Sequence, residues 1–238
     1  MDIEFIQRIV GNLLDGLVMT VIIVVASMIC GNLLAVPVAM ARVSQSAFWW
    51  VPAYVYILFM RGTPLIVQMY IIYYGLGQFP EIRKSFLWPV LRDPVWCAII
   101  SLSLNTAAYS GEILRGSIQA VPKGMTEAAK ALGLRDRLVF FLIVLPTAVR
   151  QSLPALANET VLLLKASAIV FTITVRDIMG EVNIIRSQTF RVYEPLVTAA
   201  FLYLILTFLI VQGFAFAERR LNVHRRKRDM LEMLEGVR

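Results

Sequence analysis

The sequence predicts an all-α protein that crosses a membrane several times. Of its 238 residues 58% are apolar and the mean hydropathy is positive, well outside the usual range of soluble domains. The apolar residues fall in long uncharged runs of membrane-spanning length. The formal net charge of +7 comes from basic residues standing beside those runs, the pattern of a membrane topology signal and not of a nucleic-acid surface. Cys30 and Cys97 lie far apart in apolar surroundings without metal-ligand spacing, and are expected to be small buried residues. His224, the single histidine, stands in the basic tail, so no histidine triad or histidine metal site is available within the membrane.

In chain order, residues 1–15 are mostly acidic in charge and lack the basic start and small-residue cleavage site of a signal peptide. The first span is expected at 16–41, free of charge and closed by Arg42. The second, at 48–77, is interrupted by Arg61-Gly62-Thr63-Pro64, where the missing N–H of Pro64 predicts a bend or break. Residues 78–93 read as an external loop, and 94–117 as the third span, with Asn105, Thr106 and Glu112 inside it.

A charged, helix-favouring island follows in the loop 118–150. Pro122 suits a first helical turn and Gly133 the residue past a helix end. Met125, Ala128, Ala129 and Leu132 recur between them as one narrow apolar stripe, with Lys123, Glu127 and Lys130 facing elsewhere. Such a helix either lies on the membrane or docks in a partner's groove, and periodicity leaves both open. The apolar stretch 138–149 is too short to span and is expected to re-enter from the inner surface.

The fourth span is expected at 153–175, an external loop at 176–194, and the fifth span at 195–217, before a basic tail at 218–238. This topology puts fourteen Lys and Arg inside, seven outside, and Arg61 and Lys165 within the membrane. That bias predicts five spans with an outside N-terminus and a cytoplasmic C-terminus, the island also being cytoplasmic.

Charges within spans are costly and normally face a bundle interior or a watery cavity. Arg61, Glu112, Glu159 and Lys165 are therefore candidate pathway residues, with Thr63, Gln68, Asn105, Asn158 and Ser167 as polar neighbours. Glu112 and Arg115 are spaced to pair on one helix face, a contact that is structural or functional. Glu159 and Lys165 lie on different faces, so each needs a partner from another helix, and Arg61 is available to one of the glutamates. No phosphate-binding loop of the G-x-x-x-x-G-K-[ST] type is present, so uphill transport needs an ion gradient or a separate ATPase. Five spans without an internal repeat are few for a complete secondary carrier.

Glu127-Ala128-Ala129, then Gly133, Ile143 and Leu145-Pro146, resembles the EAA signature of ABC-importer permeases. RGTPLIVQ (Arg61–Gln68), AYSGEILRGSI (Ala108–Ile118) and the stretches LPALANE and LLLKASA within Leu153–Ala168 resemble the polar amino-acid branch of that family. The region from SQTF and EPL to AERR is similar to the M-type subunits of histidine/lysine/arginine/ornithine and octopine/nopaline importers. The resemblance implies a type I importer permease fold in the bacterial inner membrane. It implies that Met125, Glu127, Ala128, Ala129, Leu132 and Gly133 belong to a coupling helix docked on an ATPase subunit. It further implies a homologous Q-type permease partner, two ATPase chains that use ATP and Mg, and a periplasmic substrate-binding protein. No cofactor is expected in this chain, and no enzymatic activity of its own. The competing readings are an ion-coupled secondary carrier, with Glu112 or Glu159 as a proton site, and a non-transporting scaffold.

Overall fold

The computed structural model describes residues 3 to 221, which are helical and contain no strand. Most of the predicted basic tail, with His224, Arg225, Arg226, Lys227 and Arg228, lies outside the described residues.

Helix α1 (Ile3–Val43) has 41 residues, roughly 60 Å at the rise of an α-helix and about twice a hydrocarbon thickness. The expected span 16–41 is thus the membrane-length part of a longer helix. α1 packs most extensively on α6 (Pro94–Gln119), the buried centre of the molecule. The two axes approach closely because small residues face each other: a Cβ on Gly31 would stand 2.8 Å from Thr106 Cβ, and one on Gly111 2.9 Å from Val38 Cγ1. Asp93 caps α6 by accepting a hydrogen bond from Val95 N, and Pro94 occupies the first turn, where its missing N–H costs nothing.

The second apolar run is broken into α2 (Ala47–Gly62) and α3 (Leu65–Tyr70). α3 continues through a π turn (Ile71–Gly75) and a 3-10 turn (Leu76–Gln78), and the chain bends by 105° between the two arms. The cause is the predicted one. Pro64 cannot donate to the helix, and the residue before it, Thr63, is driven to extended dihedrals (φ −110°, ψ 146°). Two short helices, α4 (Pro80–Arg83) and α5 (Trp88–Leu91), lead into α6.

After α7 (Lys123–Ala131) the chain departs from expectation. α8 (Asp136–Val139), a π turn (Phe140–Val144) and α9 (Leu145–Ser167) form one helical run of spanning length, not a re-entrant piece followed by a separate span. Pro146 does not end it, because the carbonyl it leaves unserved, that of Leu142, falls in the widened π turn. The run stops at Ser167, and a 3-10 turn (Val170–Ile173) fills the end of the expected 153–175 segment.

The segment 176–194, expected as a loop, contains α10 (Ile178–Thr189). Ile178, Val182 and Ile185 are spaced at four and three residues and pack against Ile9 and Leu13 of α1 and Ala199 of α11 (Tyr193–Leu221). Asp177 caps α10 through Gly180 N (2.8 Å), and Ile178 N donates to Thr20 Oγ1 (3.2 Å). The main core joins α1, α6 and α9 around Ile23, Cys97, Leu102 and Leu164. Cys97 is buried as expected, whereas Cys30 is exposed on α1.

By length and apolarity, α1, the run 136–167 and α11 are each able to cross a membrane, with the bent α2–α3 pair a fourth if it is one span. α6 is long enough but too polar to join them on composition. Its Ser101, Ser103, Thr106 and Ser110 are buried by neighbouring helices, so protein and not lipid surrounds them.

Candidate functional site

At one end of the bundle α7 projects as a compact, capped helix. Pro122 stands at its N-cap (φ −58°, ψ 128°), one residue before the position expected. At the other end Gly133 N donates to Lys130 O (2.9 Å) and Leu134 N to Ala129 O (3.2 Å), the paired bonds of a Schellman cap. Gly133 has φ +82°, a conformation that costs glycine nothing and a β-branched residue dearly. Lys130 Nζ reaches Asp136 Oδ1 at 2.9 Å, a contact that raises the ammonium pKa and ties α7 to α8.

The apolar stripe of α7 divides in two. Ala129 is 3% exposed, turned inward against α8 and the π turn after it, while Met125 (43%) and Leu132 (83%) stand in the open with Ala128 and Glu127. The outward face is therefore Met125, Glu127, Ala128 and Leu132, and Ala129 seats the helix on its own chain.

Behind α7, Glu112 joins two helices. Arg115 reaches its Oε2 at 2.8 Å, as the spacing predicts, and Arg42 at the end of α1 reaches its Oε1 at 3.0 Å. Arg42 also stacks near Trp50 (4.9 Å) and Tyr54 (5.0 Å), which fixes the start of α2 on the same cluster. Glu112 thus has its negative charge fully engaged by two guanidiniums, and the structure makes it a clamp.

The polar cavity, about 360 Å³, lies at the α2–α3 break, between α6 and α9. Thr63, Asn105, Thr106, Tyr109 and Glu159 line it. Glu159 is 9% exposed and has no hydrogen bond or ion pair among the described residues. Arg61 borders an adjoining cavity and stacks 5.0 Å from the ring of Tyr109, which lines both. Glu159 and Arg61 thus border two adjoining cavities that share one aromatic ring, Tyr109.

Not every predicted pathway residue reaches this cavity. Gln68 is buried beside it and spends its amide on the backbone: its Nε2 donates to Met60 O, Thr63 O and Thr63 Oγ1 at 2.8–3.1 Å. Asn105 Nδ2 also donates to Met60 O (3.1 Å). Asn158 and Lys165 are exposed on outer faces of α9, away from Glu159. Ser167 is buried at the end of α9, its hydroxyl donated to Leu164 O. Sequence reasoning missed Tyr109 and Arg42. Tyr109 sits four residues after Asn105 and three before Glu112, so helical stepping already put it on their face. Among the described residues no cluster of three or more His, Cys, Asp or Glu is gathered for a metal. The hydroxyl, amide, phenol and carboxyl groups that line the cavity suit a polar solute.

A bundle with a broken span, a polar internal cavity and an outward-facing helix at one end is the architecture of a transporter's membrane subunit. Residues 31–223 match the family of binding-protein-dependent transport system inner membrane components, and the chain belongs to that family. It is 44% identical to the octopine transport system permease protein OccM of Rhizobium radiobacter, over 94% of this chain and 92% of that one. To the nopaline permease protein NocM of Agrobacterium fabrum (strain C58) it is 41% identical, over 96% and 95%. To the histidine/lysine/arginine/ornithine permease protein HisM of Salmonella typhimurium it is 36% identical, over 90% and 92%. The fold superposes on a crystal structure of an amino acid ABC transporter with histidines (TM-score 0.80, 32% identity, 92% and 99% coverage). It also matches the MetNI methionine ABC transporter in an inward-facing form (TM-score 0.75, 18% identity, 90% and 98% coverage), a likeness of fold alone. The chain is accordingly a multi-pass permease subunit of an ABC transporter, with the type I importer permease fold.

Proposed function

We propose that this subunit imports cationic amino acids or opines across the bacterial inner membrane, driven by ATP that separate chains hydrolyse. The observation that carries the substrate class is Glu159, a carboxylate without a hydrogen-bond partner among the described residues, on a polar cavity whose lining ring, Tyr109, also carries Arg61. A cationic side chain meets Glu159, and the substrate's own carboxylate meets Arg61. The names of the relatives, with octopine, nopaline and histidine/lysine/arginine/ornithine among them, support the same class.

In this reading the chain makes five spans with its N-terminus periplasmic, and α7 is the coupling helix on the cytoplasmic side. It pairs with a homologous Q-type permease, two ATPase subunits holding ATP and Mg, and a periplasmic binding protein. ATP closes the ATPase pair and draws the two α7 helices together, and the clamp at Glu112 passes that movement to α1, α2 and α6. The cavity then opens outward to the binding protein, and hydrolysis returns it inward. This is rigid-body alternating access, biased by ATP's unequal affinity for the two states.

The test is uptake into vesicles holding the complete complex, with ATP inside and binding protein outside. Arginine or octopine uptake that needs ATP, falls at least about tenfold in Glu159→Gln and leaves assembly intact supports the proposal. Uptake by the permease alone on an ion gradient overturns it in favour of a secondary carrier.

A further inference from the structure

The transport reading leaves unused a groove on the outer side of the bundle, between α1, α9 and α11. It has a volume of about 480 Å³ and is walled by Val24, Met28, Leu153, Leu164, Leu209 and Gly213. Thr160 is the one polar side chain lining it among the described residues, and its hydroxyl is already donated to Leu156 O (2.8 Å). The slot therefore presents hydrocarbon alone. It is also roomy, since a Cβ built on Gly213 would meet nothing within 4 Å.

The end of the slot nearest α7 is different. Arg150 precedes Leu153 by three residues, and so stands one turn beyond it on the same face of α9. Arg220 follows Ala217 by three and Gly213 by seven, and holds the same position at the end of α11. Both arginines are exposed, and neither forms an ion pair among the described residues; Arg220 rests 5.2 Å from the ring of Phe216. A purely apolar helix would fill the slot and leave these two charges unanswered. A lipid with an anionic headgroup satisfies both at once, because basic residues at a span's end attract anionic lipid and guanidinium pairs hold phosphate well.

We propose that this groove holds an acyl chain of an anionic phospholipid from the leaflet on the α7 side, its headgroup phosphate seated on Arg150 and Arg220. The lipid would lie on α9 opposite Glu159, wedged between the helices whose relative tilt the transport cycle requires.

Native mass spectrometry tests this on the complete purified complex in detergent, with dioleoyl-phosphatidylglycerol or dioleoyl-phosphatidylcholine added. Phosphatidylglycerol is expected to be retained preferentially. The Arg150→Gln/Arg220→Gln variant should weaken that retention about tenfold or more while leaving phosphatidylcholine unchanged, given the usual contribution of two basic residues at a membrane surface. Gly213→Phe, which fills the slot, should displace the lipid without loosening the complex. Equal retention of both lipids, unaltered by the arginine changes, overturns the proposal. So does a Gly213→Phe complex that keeps its lipid but sheds its partner permease, which would assign the groove to a protein helix. The exposed arginine pair keeps the test decisive should Gly213→Phe fail to fold. Lipid retention is read without transport, so its failure leaves the cationic-substrate reading untouched, and the converse holds.

Discussion

Gln68 donates its side-chain amide to the carbonyl of Met60 at 2.9 Å, across the corner where the second apolar run breaks. Met60 is four residues before Pro64, so its carbonyl is the acceptor that the missing proline N–H leaves unserved. Asn105 supplies a second bond from α6 to the same oxygen (3.1 Å), and so the break is anchored to the central helix. Gln68→Leu should therefore destabilise the protein by about 1–3 kcal/mol, the cost of a buried polar group losing its partner. Thermal unfolding of single and double variants with Asn105→Ala should show non-additive losses, since both side chains serve one carbonyl. Strictly additive losses would count against the shared corner.

Glu112 holds Arg42 and Arg115 with both oxygens, so Glu112→Gln should cost about 2–3 kcal/mol, the scale of charge-assisted bonds. Arg42→Lys retains the charge but gives up the flat contact with Trp50 and Tyr54, and should not restore full stability. Unfolding midpoints in detergent check both. A fully stable lysine variant would show that charge alone holds the clamp.

At Gly133 the left-handed backbone separates two substitutions. Gly133→Val should lose roughly 1–2 kcal/mol locally and uncouple ATP hydrolysis from uptake, whereas Gly133→Asn should keep most coupling. The comparison is ATPase stimulation by loaded binding protein in vesicles. Equal behaviour of the two variants would mean that the cap geometry is irrelevant to coupling.

Asp177 caps α10 from a fully buried site, and burial pushes its carboxyl up from 3.8 to about 6 despite the backbone bonds it accepts. The folded state therefore binds its proton more tightly than the unfolded chain does. Stability should fall as pH rises from about 4 to about 6, by on the order of 2–3 kcal/mol, and then level off. Asn caps a helix as well as Asp does, so Asp177→Asn should flatten that segment of the profile and be no less stable at pH 7. Unfolding curves between pH 4 and 8 decide it, and an unchanged slope in Asp177→Asn would exclude this residue as its source.

Much of the architecture was legible because it depends on local chemistry. Pro64 removes a donor wherever its neighbours lie, so the break was readable from Arg61-Gly62-Thr63-Pro64. The α7 boundaries followed from Pro122 and Gly133, and Glu112–Arg115 from helical spacing. α10 carried its signal too, in Ile178, Val182 and Ile185, but Glu181 among them and the charges on either side make the segment read as a loop. The stretch 138–149 is too short to span when counted only to Arg150-Gln151, but the helix continues through those polar residues along α9, which its local composition does not signal.

By itself, then, the sequence determined a helical membrane protein, the place of its broken span and the short capped helix at one end. These depend on composition, periodicity and missing donors, which act within a few residues. Only the tertiary structure decided what each polar group faces. It turned Gln68 to a backbone carbonyl, gave Glu112 a second arginine from α1 and left Lys165 on an outer face. It also opened Glu159 to a cavity beside Tyr109 and Arg61. The physical reason is that a polar side chain in a membrane protein takes its role from the partner it finds, and that partner comes from whichever helix packs against it.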